Sequence, residues 1–210
     1  MNARATDDFG FAEGTSSASS GTIYLTFDDG PDPQWTPRIL DVLANAGARA
    51  TFFVIGTAAR REPALVRRAV AEGHAIGNHS LSHRHPWTMT SRTARHEVLA
   101  GAAAIEDVIG MPAKWYRAPH GRNRACMTAA AHEVGQTVVD WHLSAVDWGP
   151  LGKADRIAER LQRANASDVL LMHDGRNRHN RPDELVKVLP QFLAALASRN
   201  LQSSTLRVRA

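Results

Sequence analysis

The alternation of short β-rich runs with longer helical stretches constrains the fold of this chain more than any other feature of its sequence. The β-rich runs cover residues 23–27, 50–55, 74–79, 115–119, 136–142 and 168–173, and "LQSSTLRV" at the end predicts a last short strand. Helical stretches begin at Thr36, Glu62, Ser91, Ala125, Lys153 and Pro182, and four of them end at Gly47, Gly73, Gly110 and Gly135. Strand–helix alternation with glycine stops predicts a mainly parallel sheet, open or closed into a barrel.

Length and composition indicate one globular domain. The chain has 210 residues, of which 43% are hydrophobic, and a net charge of +4. It has no apolar run near the roughly 18 residues of a transmembrane helix, and its arginines are scattered among acids rather than gathered in a nucleic-acid-binding stripe. The single cysteine, Cys126, excludes an internal disulfide and is expected to be a small buried hydrophobe on a helix.

The first 21 residues differ in character from the rest. They are rich in Ser, Gly, Ala and Asp and lack the apolar segment of a secretory signal. This composition predicts a flexible leader at residues 1–21, followed by a folded domain at residues 22–210. With the missing signal and the absent disulfide, it favours a cytoplasmic protein; a trimmed secreted protein is the alternative.

Polar residues follow the ends of the predicted strands. They are Asp28, Asp29, His79, Arg117, Asp147, Trp148 and His173. The carboxyl ends of parallel strands meet at one edge of the sheet, where α/β barrels and open sheets build their sites. The sequence therefore predicts a functional site at this edge.

The stretch "NHSLSHRH" contains two histidines whose spacing suits one cation. His79 and His83 are four residues apart, and on one helical turn their imidazoles share a face. Two histidines and one carboxylate leave coordination positions open, as a catalytic metal requires. Asp28 or Asp29 of "TFDDGP" supplies the carboxylate, and the other aspartate, kept ionised by the cation, can accept a proton from water. The spacing does not decide between them, and a packed histidine pair with an ordinary Asp-Gly turn is the plainer interpretation.

Five short motifs in chain order, "TFDDGP", "HSLSH", "RAPHG", "DW" and "LLMH", resemble those of the polysaccharide deacetylases. This carbohydrate esterase family includes the nodulation chitooligosaccharide deacetylases. The resemblance runs from about Thr22 to Leu196. It implies a distorted parallel (β/α) barrel and hydrolysis of an N- or O-acetyl group from a sugar.

Carried across residue by residue, the resemblance separates the two aspartates. Asp28 is implied as the general base, with Arg117 orienting it and keeping it ionised. Asp29, His79 and His83 are implied as the metal ligands. The implied cofactor is a divalent cation, Zn²⁺ first and Co²⁺, Mn²⁺ or Ni²⁺ as alternatives, which polarises the acetyl carbonyl and lowers the pKa of its water to about 7.

The resemblance also implies the general acid and the walls of an acetyl pocket. His173 protonates the leaving amine, and Asp147 tunes its pKa. Leu171 lines the pocket and Trp148 packs beside it.

The sequence departs from the family pattern at two positions. After Pro119, where many members have Tyr or Phe, this chain has His120, whose backbone N–H is a candidate for an oxyanion hole; both residues are expected at the substrate. Near the second histidine ligand, where members often have proline directly after it, this chain has His85. His85 is thus the alternative to His83 as a ligand.

We interpret the chain as a metal-dependent deacetylase of N-acetylglucosamine units in a chitooligosaccharide or related polysaccharide. The alternatives are an acetylxylan or other O-acetyl esterase, a peptidoglycan deacetylase, and a catalytically silent sugar-binding module. A silent module should have lost its base or its acid, whereas both Asp28 and His173 are present. The expected partner is the saccharide substrate, without nucleic acid or membrane, and the expected state is a monomer.

Overall fold

The computed structural model describes residues 21–207, so the predicted leader lies outside it except for Gly21, which begins a strand. The strands are β1 Gly21–Asp28, β2 Thr51–Val54, β3 Ala75–Asn78, β4 Trp115–Tyr116, β5 Thr137–Val138, β6 Leu143–Ser144, β7 Val169–His173 and β8 Leu201–Ser204. The helices are α1 Thr36–Asn45, α2 Gly56–Arg61, α3 Pro63–Ala71, α4 Ser91–Ile109, α5 Ala125–Glu133, α6 Ala154–Leu161 and α7 Pro182–Ser198. None of these helices is long and apolar enough to cross a membrane.

The strands form one parallel sheet in the order β5-β4-β3-β2-β1-β7-β6, with β8 pairing the first half of β1. The sheet curls into a half-barrel surrounded by helices, which confirms the predicted distorted parallel barrel. Strand β1 lies at its centre, and its residues from Ile23 to Asp28 are all buried. A strand covered on both faces is expected to be a nearly continuous apolar run, as "IYLTF" is.

The pairing of β1 decides which side chains meet at the carboxyl edge. Asp28, the last residue of β1, pairs with Phe53 on one side and His173 on the other. The main core lies between the sheet and the outer helices, where Leu40 of α1 and Leu189 of α7 are fully buried. Burying one such leucine side chain contributes about 1.5–3 kcal/mol. This packing holds the central strands, and therefore the residues at their ends, in fixed register.

The predicted strand at residues 136–142 was too long: only Thr137–Val138 form β5, and the next strand, β6, begins at Leu143 at the opposite end of the sheet. Residues 139–142 instead cross from one edge to the other. The amide of Val139 donates to the carbonyl of Tyr116, the last residue of β4, and the amide of His142 donates to the carbonyl of Val169 in β7. This crossing segment spans the opening of the half-barrel.

Candidate active site

A cavity of about 310 Å³ opens at the carboxyl edge of the sheet. It brings together residues from every loop that the sequence singled out. Its lining residues are Asp28, Asp29, His79, His83, His120, Gly121, Trp141, Trp148, Leu171, His173, Asn177, His179 and Asn180.

Three of these residues form a possible metal site. Oδ1 of Asp29 lies 3.3 Å from Nε2 of His79 and 2.9 Å from Nε2 of His83. Possible ligand atoms of the three residues all lie within 4.8 Å of one another. Oδ1 is buried, and no described residue satisfies it with a well-aligned hydrogen bond. A cation between the two imidazoles and this oxygen would satisfy it, so the donor set fits a divalent metal with open positions.

The negative charge of Asp29 and the tautomer of His79 also suit the binding of a metal ion. Burial opposes the charge of Asp29, but His79 and His83 outweigh it and hold the pKa of this carboxyl well below its usual value. Nδ1 of His79 lies 2.8 Å from the carbonyl oxygen of Arg117. A protonated Nδ1 donates to that carbonyl, which leaves the lone pair of Nε2 directed at the site.

The predicted helical turn between His79 and His83 was wrong, although the two side chains do meet. Strand β3 ends at Asn78, and both Ser80 and His83 have positive φ, at 66° and 57°. Side-chain oxygens replace the helical hydrogen bonds here: Oδ1 of Asn78 accepts from the amide of Ser80, and Oγ of Ser80 accepts from the amide of His83. Asn and Ser favour such local bonds over helix, which explains the tight loop.

Asp28 is held by a buried ion pair with Arg117. Nη1 of Arg117 lies 2.8 Å from Oδ1 of Asp28, and the two residues are 0% and 3% exposed. The same guanidinium donates to Oγ1 of Thr26 and to the carbonyls of Val139 and Asp140. An arginine this fully bonded is held in one position, so it fixes the orientation of the Asp28 carboxylate. Oδ2 of Asp28 is left on the side of the metal ligands.

His173 is paired with Asp147 in the way the resemblance implied. Nδ1 of His173 lies 2.8 Å from Oδ1 of Asp147, and the backbone amide of His173 donates to Oδ2 over 2.7 Å. Burial lowers the pKa of His173, but the charge of Asp147 and its hydrogen bond outweigh burial and raise that pKa to about 9. Trp148 packs edge-on against the imidazole, with 5.3 Å between ring centroids. With Nδ1 occupied, Nε2 is the nitrogen available to a substrate.

Of the remaining predicted residues, some line the cavity and others lie outside its lining. Leu171 is buried and lines the cavity, whereas Pro119 is buried and is not among the lining residues. His120 lines the cavity, with its ring centroid 4.5 Å from that of His83. His85 is exposed, its ring lies tilted against that of His120, and it is not part of the three-residue metal site, which contains His83 instead.

Five lining residues were missed in the sequence: Gly121, Trp141, Asn177, His179 and Asn180. Trp141 falls within the predicted strand 136–142, so the sequence did not indicate that it belongs to a loop at the site. The stretch "RNRHN" after "LLMHDG" follows a strand end, which places it at the right edge, but nothing local distinguishes its contact residues. Their role depends on contacts with residues about 150 positions away.

The chain is similar in sequence to known polysaccharide deacetylases. The family model for polysaccharide deacetylase matches residues 15–139. A peptidoglycan-N-acetylglucosamine deacetylase of Bacillus cereus is 37% identical over 173 residues, covering 81% of each chain. A chitooligosaccharide deacetylase of Bradyrhizobium sp. is 34% identical over 195 residues, covering 87% of this chain and 89% of the relative.

A solved structure is similar throughout. The family 4 carbohydrate esterase from Streptomyces lividans in complex with acetate superposes with a TM-score of 0.81 at 31% identity, covering 90% of this chain and 94% of that one. The resemblance first read from five short motifs is thereby confirmed. The chain belongs to the polysaccharide deacetylase family.

Proposed function

We propose that this protein removes the acetyl group from N-acetylglucosamine units of a chitooligosaccharide or related polysaccharide and releases acetate. One observation carries the proposal: a paired carboxylate and a paired imidazole, Asp28 and His173, end neighbouring strands in one cavity beside a possible metal site. The relatives named as deacetylases of chitooligosaccharides and of peptidoglycan support the N-acetylated sugar as the substrate.

Asp29, His79 and His83 would hold the cation. We infer Zn²⁺, with Co²⁺, Mn²⁺ or Ni²⁺ as alternatives, because imidazole and carboxylate ligands suit all four ions. When bound, the cation polarises the acetyl carbonyl and lowers the pKa of a neighbouring water.

Asp28 acts as the general base. Arg117 occupies its Oδ1, so Oδ2 accepts a proton from the attacking water while the water oxygen bonds to the acetyl carbon. Since Arg117 already pairs with the negative charge of Asp28, this carboxylate has a partner of its own and leaves the cation to Asp29.

His173 acts as the general acid. Asp147 fixes its Nδ1, so the proton on Nε2 passes to the amide nitrogen as the carbon–nitrogen bond breaks. The products are acetate and a free amine on the sugar. Leu171, Trp148 and Trp141 supply an apolar wall that suits the acetyl methyl group and excludes bulk water.

An O-acetyl esterase would use the same residues, so the decisive experiment compares substrates. The metal-loaded protein is incubated in parallel with N-acetylchitooligosaccharides, peptidoglycan and acetylxylan, and released acetate is measured. We expect acetate from the N-acetylated substrates, loss of activity after dialysis against a chelator, and recovery with Zn²⁺ or Co²⁺. Acetate from acetylxylan alone would contradict the proposal. Full activity in protein shown by elemental analysis to be metal-free would contradict the role of the cation.

The monomeric state, the cytoplasmic location and the leader stay predictions.

A further inference from the structure

Three exposed arginines lie in three different loops that contribute residues to the cavity lining. Arg84 follows β3, Arg122 follows β4 and Arg178 follows β7. Each is the sequence neighbour of a residue that lines the cavity, namely His83, Gly121 and His179. The sequence scatters these arginines over about a hundred positions, and the fold gathers their loops at one edge of the sheet.

These guanidinium groups carry uncompensated charge. None of the three forms a salt bridge with any residue in the described range 21–207. By contrast, Arg176 in the same loop as Arg178 pairs with Asp183 at 2.9 Å. Nε of Arg178 instead donates to Nε2 of His179 over 2.7 Å, which holds its guanidinium beside a residue that lines the cavity.

The acidic residues in the loops at the carboxyl edge of the sheet do not neutralise the positive charge of the three arginines at the protein surface. Asp28, Asp147 and Asp174 are buried, Asp29 is half-buried, and all four have partners of their own inside the site. Asp32 is half-buried, and its carboxylate accepts backbone amide hydrogen bonds, two of them from Gln34 and Trp35. Asp140 is the exposed acid among the described loop residues at this edge. The outward-facing charge around the cavity is therefore positive on balance.

We propose that this arginine rim (Arg84, Arg122 and Arg178) selects an anionic glycan, in which N-acetylglucosamine alternates with carboxylate-bearing sugars, over a neutral chitooligosaccharide. The inference rests on the proposed deacetylase function. A positive rim concentrates anionic ligands near the cavity, and guanidinium groups bind carboxylates in a fixed, bidentate geometry. Peptidoglycan strands that have lost their stem peptides have this chemistry, because every second sugar then carries a lactyl ether with a free carboxylate.

Three tetrasaccharides that share a β-1,4-linked backbone test whether the charge of the glycan, rather than its shape, determines how well it is deacetylated. They are tetra-N-acetylchitotetraose, a peptidoglycan-derived tetrasaccharide with free lactyl carboxylates, and the methyl ester of the latter. The acid and the ester differ in charge and have nearly the same shape. We expect kcat/KM for the acid to exceed that for the ester by about tenfold at low salt, from exposed pairs that contribute about two- to fivefold each. The difference should shrink in about 0.5 M NaCl, where the Debye length falls well below its value of about 10 Å at 0.1 M.

Variants of the three rim arginines test whether the preference for the acid over the ester arises at the arginine rim. Arg178→Gln, Arg122→Gln and Arg84→Gln should each lower the acid-to-ester ratio of kcat/KM by about two- to fivefold. Arg156→Gln is the matched control, since it removes an exposed arginine from α6, and it should leave the ratio unchanged. Equal kcat/KM for acid and ester at low salt, or an equal drop in Arg156→Gln, would overturn the inference. Failure of all three tetrasaccharides to release acetate would instead contradict the deacetylase function itself.

Discussion

Nδ2 of Asn180 donates a hydrogen bond of 2.6 Å to Oδ2 of Asp29, across 151 positions of sequence. Asn180 is 5% exposed, and Asn177 adds a second amide donor to the same oxygen at 3.2 Å. Because both donors are neutral, they fix the carboxylate without compensating its charge. Oδ1 of Asp29 is thereby directed at the two histidine ligands with the negative charge still available to a cation.

Asn180→Ala should therefore weaken metal binding. Loss of a hydrogen bond that orients a ligand costs about 10–100-fold in metal affinity. The Kd for Zn²⁺, measured by competition with a chelating dye, should rise by that factor, and Asn177→Ala should have a smaller effect because its bond is longer and exposed. Asn165→Ala, in an exposed loop before β7, is the control. An unchanged Kd in Asn180→Ala would show that Asp29 does not depend on this bond.

The two adjacent aspartates should respond differently to the same substitution. Asp28→Asn should keep the bound metal but lower kcat by about 10²–10⁴, the usual contribution of a positioned general base. Asp29→Asn should raise the Kd for Zn²⁺, because it removes the anionic ligand. Metal content by elemental analysis and kcat under saturating Zn²⁺ distinguish the two effects. If Asp28→Asn lost the metal while Asp29→Asn retained it, the assignments would be reversed.

The pH dependence of kcat should reveal the pairing of His173 with Asp147. His173 must be protonated to act as an acid, and its pKa is raised to about 9, so activity should persist above neutrality and fall as the pH passes that pKa. Asp147→Asn removes the charge that raises the pKa, so the alkaline limb should move to lower pH by about one unit or more. His173→Ala should abolish that limb and slow turnover. A limb that stays in place in Asp147→Asn would mean that Asp147 does not tune the acid.

Glu97 should matter for metal binding although it lies outside the cavity lining. Its carboxylate, 4% exposed on α4, accepts from Oγ of Ser82 over 2.7 Å and from the amide of Ser82 over 2.8 Å. These bonds tie down the loop that carries His83. Glu97→Gln replaces one acceptor oxygen by a donor, so we expect about a tenfold higher Kd for Zn²⁺.

Glu106→Gln is the matched control for this variant, since Glu106 is exposed on the same helix. Circular dichroism melting of both variants separates loss of the loop geometry from loss of the fold. Equal Zn²⁺ affinity in Glu97→Gln and Glu106→Gln would contradict a role for Glu97 in holding the loop.

Much of the site could be predicted because its residues follow strand ends. Asp28 and His173 end adjacent parallel strands, so strand alternation alone predicts that they share an edge. The spacing of His79 and His83 correctly predicted their proximity and wrongly predicted a helical turn, because side-chain hydrogen bonds from Asn78 and Ser80 can bring residues four apart together in a loop.

Other parts of the site depend on contacts with no local signature. Asn180 reaches Asp29 only because β1 and β7 are neighbours in the sheet. Arg84, Arg122 and Arg178 likewise lie far apart in the sequence, and only the folded chain brings their loops to one edge of the sheet. Trp141 appeared to continue a strand, whereas the chain leaves the sheet at Val139 and crosses the mouth of the half-barrel.

The position of Arg117 has a consequence for how such a protein can lose its activity. The guanidinium that holds Asp28 also binds the carbonyls of Val139 and Asp140, in the segment that bridges the two free edges of the sheet. The side chain of Arg117 thus holds both Asp28 and the crossing segment at residues 139–142 in place. Its removal would leave the carboxylate of Asp28 and the carbonyls of Val139 and Asp140 without their hydrogen-bond donor. An inactive sugar-binding descendant is therefore reached more readily by Asp28→Asn, which keeps an acceptor oxygen for the buried guanidinium, than by loss of Arg117, which would leave both the base and the crossing segment without their partner.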